Sequence, residues 1–165
     1  MPSVFAHVAA GAALGSAFAP TSKRRLWIAA AVCAAVPDVD ALGRPFGNLS
    51  YEAAFGGHRG FTHSILFAIV VGGWAAWMLG RDIISQRARL RLWLAFALAI
   101  ASHGILDALS TIGNGVAFWA PFSWTHYEFG WQPLGEIGPG PRGPTRLLAI
   151  VGNELLWVGL PSLIV

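Results

Sequence analysis

The chain has 165 residues, of which 55% are hydrophobic and only 12% are charged. Soluble globular domains carry about 25% charged residues, so this composition is typical of a membrane protein. The net charge is +3 and the basic residues are scattered, which excludes the concentrated basic face that a nucleic-acid partner needs. We predict one membrane-embedded domain over residues 1–165, with no nucleic acid among its partners.

Five apolar segments follow one another along the chain, and their Leu and Ala content predicts helices rather than barrel strands. They lie at residues 4–19, 26–36, 64–79, 92–110 and 146–165. A membrane crossing needs about 20 residues, so the last two are long enough alone and 26–36 is short. The pattern predicts an all-α, polytopic membrane protein with about five helices.

The basic residues predict an orientation, because loops rich in Lys and Arg stay in the cytoplasm. Two predicted hairpins carry seven of them: Lys23, Arg24, Arg25, Arg81, Arg87, Arg89 and Arg91. The opposite side of the predicted bundle holds the other four: Arg44, Arg59, Arg142 and Arg146. We therefore expect both hairpins of this multi-pass membrane protein to lie in the cytoplasm.

Polar residues that can bind metal interrupt the apolar chain in three short clusters, all at the predicted non-cytoplasmic ends of the helices. Carboxylates and imidazoles are costly in hydrocarbon and are common ligands of zinc and manganese. The candidate metal ligands are Asp38, Asp40, His58, His63, His103 and Asp107. We predict one or two divalent metal ions near the non-cytoplasmic face, with zinc favoured over manganese.

Two pairs within these clusters have alternative interpretations. His103 and Asp107 are four residues apart, so a helix presents both on one face, where they either bind metal together or hydrogen-bond to each other. Asp38 and Asp40 follow a proline at a predicted helix end, where they form either a bridging carboxylate pair or a simple helix cap.

Residues 58–64 predict an anion-binding site beside the metal. Thr62 is expected to cap a helix that begins at His63, and the free N–H groups of that helix start would attract a phosphate oxygen. Arg59 adds a forked donor for the same anion, although an ordinary interfacial anchor is the alternative. The predicted substrate-binding residues are Arg59, Thr62 and Ser64. The predicted catalytic residues are Asp40, His63 and Arg59.

Further polar residues are candidates with weaker support. His7 lies on an apolar helix, where a lone histidine is usually a core residue. Glu154 lies deep in the last apolar segment and needs a partner, which would be a metal, His7 or an arginine. His126 is either another site residue or exposed, within the aromatic stretch 111–145 that we expect over the outer surface. The loop 41–57 is predicted to form a lid or a re-entrant turn.

The order of the motifs resembles a family of bacterial inner-membrane metal-dependent hydrolases. Its PD-x-D, HRG-x-THS and H-x-x-x-D segments match Pro37–Asp40, His58–Ser64 and His103–Asp107. A more distant resemblance to zinc-dependent phospholipase C follows the same order of ligands. The final H-x-x-x-E of those enzymes is absent, since Ile150 stands four residues before Glu154. The resemblance implies a metal-dependent hydrolase of a bacterial-type inner membrane, with one metal missing or bound differently.

Our leading hypothesis is hydrolysis of a phosphoester in a membrane lipid or lipid-linked substrate by a metal-activated water. One alternative is a metal or proton transporter, which would need polar residues along the whole membrane crossing. The inner halves of the predicted helices carry almost none, which favours the hydrolase. A second alternative is a structural metal site, in which protein ligands fill every coordination position.

Overall fold

The computed structural model describes residues 2–19, 24–46, 57–83, 85–135 and 144–164. Within these ranges the regular structure is helical, accompanied by two isolated β-bridges and no named strand. The predicted all-α class is confirmed.

The helices follow the predicted apolar segments closely. They are α1 (Val4–Phe18), α2 (Arg24–Ala35), α3 (Ile65–Leu79) and α4 (Gln86–Ala108). A last rod runs through α5 (Pro144–Glu154), a π-helical turn (Leu155–Gly159) and α6 (Leu160–Ile164). Two 3₁₀ segments leave α2 and lead into α3: Val36–Phe46 and Phe61–His63.

The start of α4 lies six residues before the predicted apolar segment. Ser85 caps this helix by accepting a hydrogen bond from the backbone N–H of Ala88 at 3.5 Å. The first turns carry Arg87, Arg89 and Arg91, which are good helix formers but lie outside a purely apolar window. The prediction from apolar residues therefore found the buried part of α4 but not its charged first turns.

Helix α4 is the centre of the bundle, because α1, α2 and α3 all pack against it. One stripe of its surface, spaced by three or four residues, is buried. This stripe consists of Leu92, Phe96, Ile100, His103 and Asp107. Its first three members belong to the apolar core and its last two are polar, so the helix that organises the core also carries two metal-ligand candidates.

Small residues allow the helices to approach one another closely. A methyl group on Gly11 would lie 2.5 Å from Cβ of Ala34 in α2, and one on Gly72 would lie 2.6 Å from the backbone nitrogen of Ala97 in α4. Large apolar side chains such as Trp74 on α3 instead point outward and are exposed. Small residues inside and large apolar residues outside are typical of helices packed within lipid.

Among the described ranges, α4 is the one helix that is long and apolar enough to cross a membrane, judged by length and composition alone. Helices α1 and α3 and the stretch Leu148–Ile164 are apolar but shorter. The number of membrane crossings therefore stays a prediction.

The two basic hairpins lie at the same end of the bundle, as the orientation argument requires. The guanidinium of Arg25, at the start of α2, lies 2.6 Å from the carboxylate of Asp82, in the α3–α4 hairpin. The polar clusters occupy the opposite end, where α4 finishes.

The stretch 111–135 packs against that polar end. The backbone N–H of Ala117 donates to the carbonyl of Arg59, and that of Ile65 donates to the carbonyl of Phe118, both at 3.0 Å. Its large aromatic rings are exposed: Trp119, Phe122, Trp124, Tyr127, Phe129 and Trp131. Most of the predicted lid, residues 47–56, lies outside the described ranges.

Candidate metal centre

Seven side chains from four parts of the chain meet beside the end of α4. Helix α1 contributes one, the 3₁₀ segment after α2 two, the segment before α3 two, and α4 two. They form three groups in which one ligand atom of each residue lies within 4.8 Å of the others: His7 with His103 and Asp107; Asp38 with His63 and His103; and Asp40 with His58 and His63. Because His63 and His103 each belong to two groups, the groups form one continuous cluster.

His103 is oriented by the backbone of α2. Its Nδ1 lies 2.7 Å from the carbonyl oxygen of Ala34. A carbonyl can only accept, so Nδ1 carries a proton and donates it, which leaves the electron pair of a neutral ring on Nε2. That Nε2 lies 3.3 Å from a carboxylate oxygen of Asp38. A proton or a cation must lie between these two atoms to make the contact favourable.

The alternative in which His103 and Asp107 hydrogen-bond to each other is not what the structure contains. Nε2 of His103 and both carboxylate oxygens of Asp107 are buried without a hydrogen-bond partner among the described residues, and Oδ2 of Asp107 forms an ion pair with Arg59 rather than with His103. The ring of His103 instead stacks on that of His7, with centroids 3.6 Å apart and planes inclined by 12°. Two stacked imidazolium rings would repel, so at least one ring of this pair is neutral.

The carboxylate of Asp40 orients the imidazoles of His58 and His63. This carboxylate accepts hydrogen bonds from the hydroxyl of Thr62 at 2.7 Å and the backbone N–H of Arg59 at 3.3 Å, and it lies 2.7 Å from Nδ1 of His58. Burial alone would raise the pKa of Asp40, but the contacts with His58, His63 and Thr62 outweigh burial and lower that pKa below its usual value. An ionised Asp40 accepts a hydrogen bond from Nδ1–H of His58, which leaves the electron pair of a neutral ring on Nε2.

A second chain of hydrogen bonds orients His63. The hydroxyl of Thr62 donates to Asp40, so its oxygen is an acceptor for Nδ1–H of His63, 3.0 Å away. The electron pair on Nε2 of His63 then points toward a carboxylate oxygen of Asp107 at 3.6 Å. Burial lowers the pKa of His63, although Asp40 opposes that effect, so the neutral ring is favoured.

The predicted helix cap at Thr62 is wrong. Helix α3 begins at Ile65, and its cap is Ser64, whose hydroxyl accepts from the backbone N–H of Phe67 at 3.1 Å. A 3₁₀ turn at Phe61–His63 occupies the place where the helix was expected to start. Thr62 is thereby released to bind Asp40, and both hydroxyls predicted to bind substrate have partners within the protein.

Buried polar atoms without hydrogen-bond partners among the described residues line the interior of the cluster. They are both ring nitrogens of His7, Nε2 of His58, His63 and His103, Oδ1 of Asp38, and both carboxylate oxygens of Asp107. Each such atom costs roughly 1–3 kcal/mol when its hydrogen bond is missing. A neutral imidazole offers one electron-pair nitrogen and a carboxylate offers its oxygens, so a divalent cation would satisfy the set except for the ring N–H of His7.

Arg59 points into the cluster and is 3% exposed, so it does not anchor the protein at an interface. Its Nε lies 3.0 Å from Asp107, and its Nη1 is buried without a hydrogen-bond partner among the described residues. The backbone of Arg59 has φ 67°, an uncommon conformation for a residue with a side chain. Strained backbone of this kind concentrates at functional sites.

Two glycines that sequence reasoning missed make room for the site. A methyl group on Gly113 would lie 2.0 Å from Nη1 of Arg59, and one on Gly104 would lie 2.9 Å from the carbonyl oxygen of His63. The one available signal was the position of Gly104 beside His103, inside the H-x-x-x-D segment.

Glu154 and His126 do not belong to any of the three groups. Glu154 accepts hydrogen bonds from the backbone N–H of Ser3, at 2.6 Å, and from the hydroxyl of the same residue. Among the described residues its hydrogen-bond partner is Ser3, the residue before α1, rather than His7. Burial lowers the pKa of His126; a hydrogen bond with the backbone of Trp124 opposes that change and the charge of Arg59 adds to it.

Comparison with known proteins assigns this chain to a family. Residues 1–150 match the family model described as YdjM inner membrane protein, and the chain belongs to that family. It is 35% identical to inner membrane protein YbcI of Escherichia coli strain K12, over 99% of this chain and 94% of that protein. No solved structure matches it. Membership agrees with the predicted inner-membrane location.

Proposed function

We propose that this YdjM-family protein is a membrane-embedded, metal-dependent hydrolase acting on a phosphoester of a lipid or a lipid-linked substrate. One observation carries the proposal: donor atoms of four imidazoles and two carboxylates are buried and face one another without hydrogen-bond partners among the described residues. Hydrogen bonds at Nδ1 of His58, His63 and His103 fix the Nε2 atoms of these rings in place.

The donor set fits one or two divalent ions, with zinc favoured and manganese possible in a set rich in nitrogen and oxygen. His7, Asp38, His58, His63, His103 and Asp107 would hold the metal. Bound metal would supply Lewis-acid activation of a water molecule at neutral pH.

Asp40 acts in this proposal as the residue that orients the imidazoles. Its oxygens are occupied by donors from His58, Arg59 and Thr62, so it holds the histidine side chains rather than facing the substrate. In this proposal Asp40 therefore supports catalysis indirectly, by positioning His58 and His63, rather than by contact with the substrate as predicted.

Arg59 would bind the anionic group of the substrate. Its Nε is held by Asp107, while its buried Nη1 has no hydrogen-bond partner among the described residues and can donate to a phosphate oxygen. The exposed aromatic rings of 111–135 lie at the same end of the molecule. Such rings favour the headgroup layer, where a lipid phosphoester is found.

The transporter alternative has less support. A path for ions across the bundle would continue from His103 along the buried stripe of α4. That stripe continues instead through Ile100, Phe96 and Leu92, all of which are buried and apolar. The structural-metal alternative predicts metal binding without hydrolysis and is separated by the experiment below.

The test uses the purified full-length protein and His103→Ala. The variant loses one ligand, so the amount of bound zinc, measured by elemental analysis, should fall. The rate of hydrolysis of a panel of lipid phosphoesters should fall by orders of magnitude. Thr111→Ala, an exposed position just beyond the end of α4, should leave both unchanged.

Full metal occupancy in a folded His103→Ala protein would remove the metal-centre proposal. Metal bound by the wild-type protein, with no hydrolysis of any phosphoester in the panel, would favour the structural site.

A further inference from the structure

A cavity of about 500 Å³ lies at the other end of the molecule, between α3 and the first turns of α4. Two tryptophans and two arginines are the largest side chains in its walls. The walls include Trp77, Arg81, Arg89, Leu90 and Trp93. None of the described residues that line the cavity is acidic.

The walls of this cavity are held in place before any ligand arrives. The guanidinium of Arg81 lies 4.7 Å from the centre of the Trp77 ring, and Nε of Arg89 donates to the carbonyl of Ile83 at 2.6 Å. The indole N–H of Trp93 donates to the carbonyl of Ile69 at 2.9 Å. Ordered side chains of this kind lose little further entropy when a ligand binds.

The charge of the cavity is positive. Asp82, the acidic residue of the adjacent hairpin, is bound to Arg25 at 2.6 Å. Arg81 and Arg89 therefore present guanidinium groups beside a wall of indole rings. Guanidinium suits phosphate, and indole suits the boundary between headgroup and acyl chain.

We propose that this cavity binds an anionic phospholipid from the leaflet that meets the basic hairpins. Arg81 and Arg89 bind its phosphate, and the glycerol and first acyl carbons lie along Trp77 and Leu90. The site lies at the opposite end of α4 from the metal centre. It does not depend on the proposed hydrolysis, because neither arginine contacts a metal-ligand candidate.

The test measures binding of phosphatidylglycerol to the full-length protein in detergent micelles by native mass spectrometry. An arginine that contacts the lipid phosphate directly should add about 1 kcal/mol, or about fivefold in affinity, whereas one outside the cavity should add little in a micelle. The double variant R81Q/R89Q should therefore weaken binding by about 25-fold. The control R87Q/R91Q removes the same charge from the same hairpin without touching the cavity walls, and should change binding less than about twofold.

Three results would overturn the proposal. Equal weakening in both double variants would indicate general attraction to the basic end, and equal binding of phosphatidylcholine would remove the requirement for an anion. Displacement of the lipid by millimolar inorganic phosphate would make free phosphate the ligand. Because Arg89 also supports the hairpin through Ile83, R81Q alone provides a variant that keeps this contact, with an expected loss of about fivefold.

Discussion

The two aspartates of the Pro37–Asp40 turn have different positions in the cluster. Residues in a 3₁₀ helix are about 120° apart around the axis, so side chains two positions apart cannot point the same way. Asp38 accordingly approaches His103, whereas Asp40 approaches His58 and His63. The interpretation of these residues as one bridging pair is replaced by two separate positions.

This difference predicts distinct effects for the two acids. Asp40→Asn keeps the shape of the side chain but weakens its hold on His58 and His63, so zinc affinity should fall by about 10- to 100-fold without being abolished. Competition with a chelator of known zinc affinity measures the change. His103→Ala provides the reference for loss of a ligand, and an equally large effect of Asp40→Asn would make Asp40 a ligand itself.

Individual residues also show which contacts of the candidate site could be predicted from the sequence. His103 and Asp107 share a helix face because four residues make about one turn, and that local rule holds in α4. The participation of His7 depends on how α1 packs against α4, and the pairing of Glu154 with Ser3 joins residues 151 positions apart. Neither contact follows from local periodicity, so both required the structure.

At the level of the helices, close packing positions the metal-ligand candidates. Helix α3 follows directly after His63, so the distance between α3 and α4 helps to fix where that imidazole lies relative to Asp107. The nearest approach occurs at Gly72, against the backbone of Ala97. The same glycine-based contact recurs between α1 and α2 at Gly11, below His7.

We predict that Gly72→Ala destabilises the protein by roughly 1–3 kcal/mol, because the added methyl group would lie 2.6 Å from a backbone atom that cannot rotate away. Thermal unfolding in detergent measures the effect. Gly152→Ala is the matched control, since it lies in α5 with no atom within 4 Å of the added methyl group. There the higher helix propensity of alanine should stabilise by up to about 1 kcal/mol. Destabilisation of equal size at both positions would contradict the packing argument.

For the whole molecule, the helix lengths suggest how deep the metal centre lies. Helices α1 and α3 have 15 residues each and α4 has 23. At 1.5 Å per residue these correspond to about 22 Å and about 34 Å, against a hydrocarbon core of about 30 Å. If α4 crosses the membrane, the shorter helices end inside its span. The metal cluster would then lie at the edge of the hydrocarbon layer, within reach of a headgroup phosphoester.

The last prediction concerns which side of the membrane this cluster faces. Thr125 lies in the stretch 111–135 at the polar end of the bundle, and Arg87 lies in the first turn of α4 at the basic end. Both side chains are exposed. In a background where the buried Cys33 is replaced by alanine, Thr125→Cys should react with an impermeant thiol reagent on intact spheroplasts. Arg87→Cys should react only after lysis, because the basic hairpins are expected in the cytoplasm. The reverse pattern would put the metal centre on the cytoplasmic side, and labelling of both cysteines on intact spheroplasts would show that α4 does not cross the membrane.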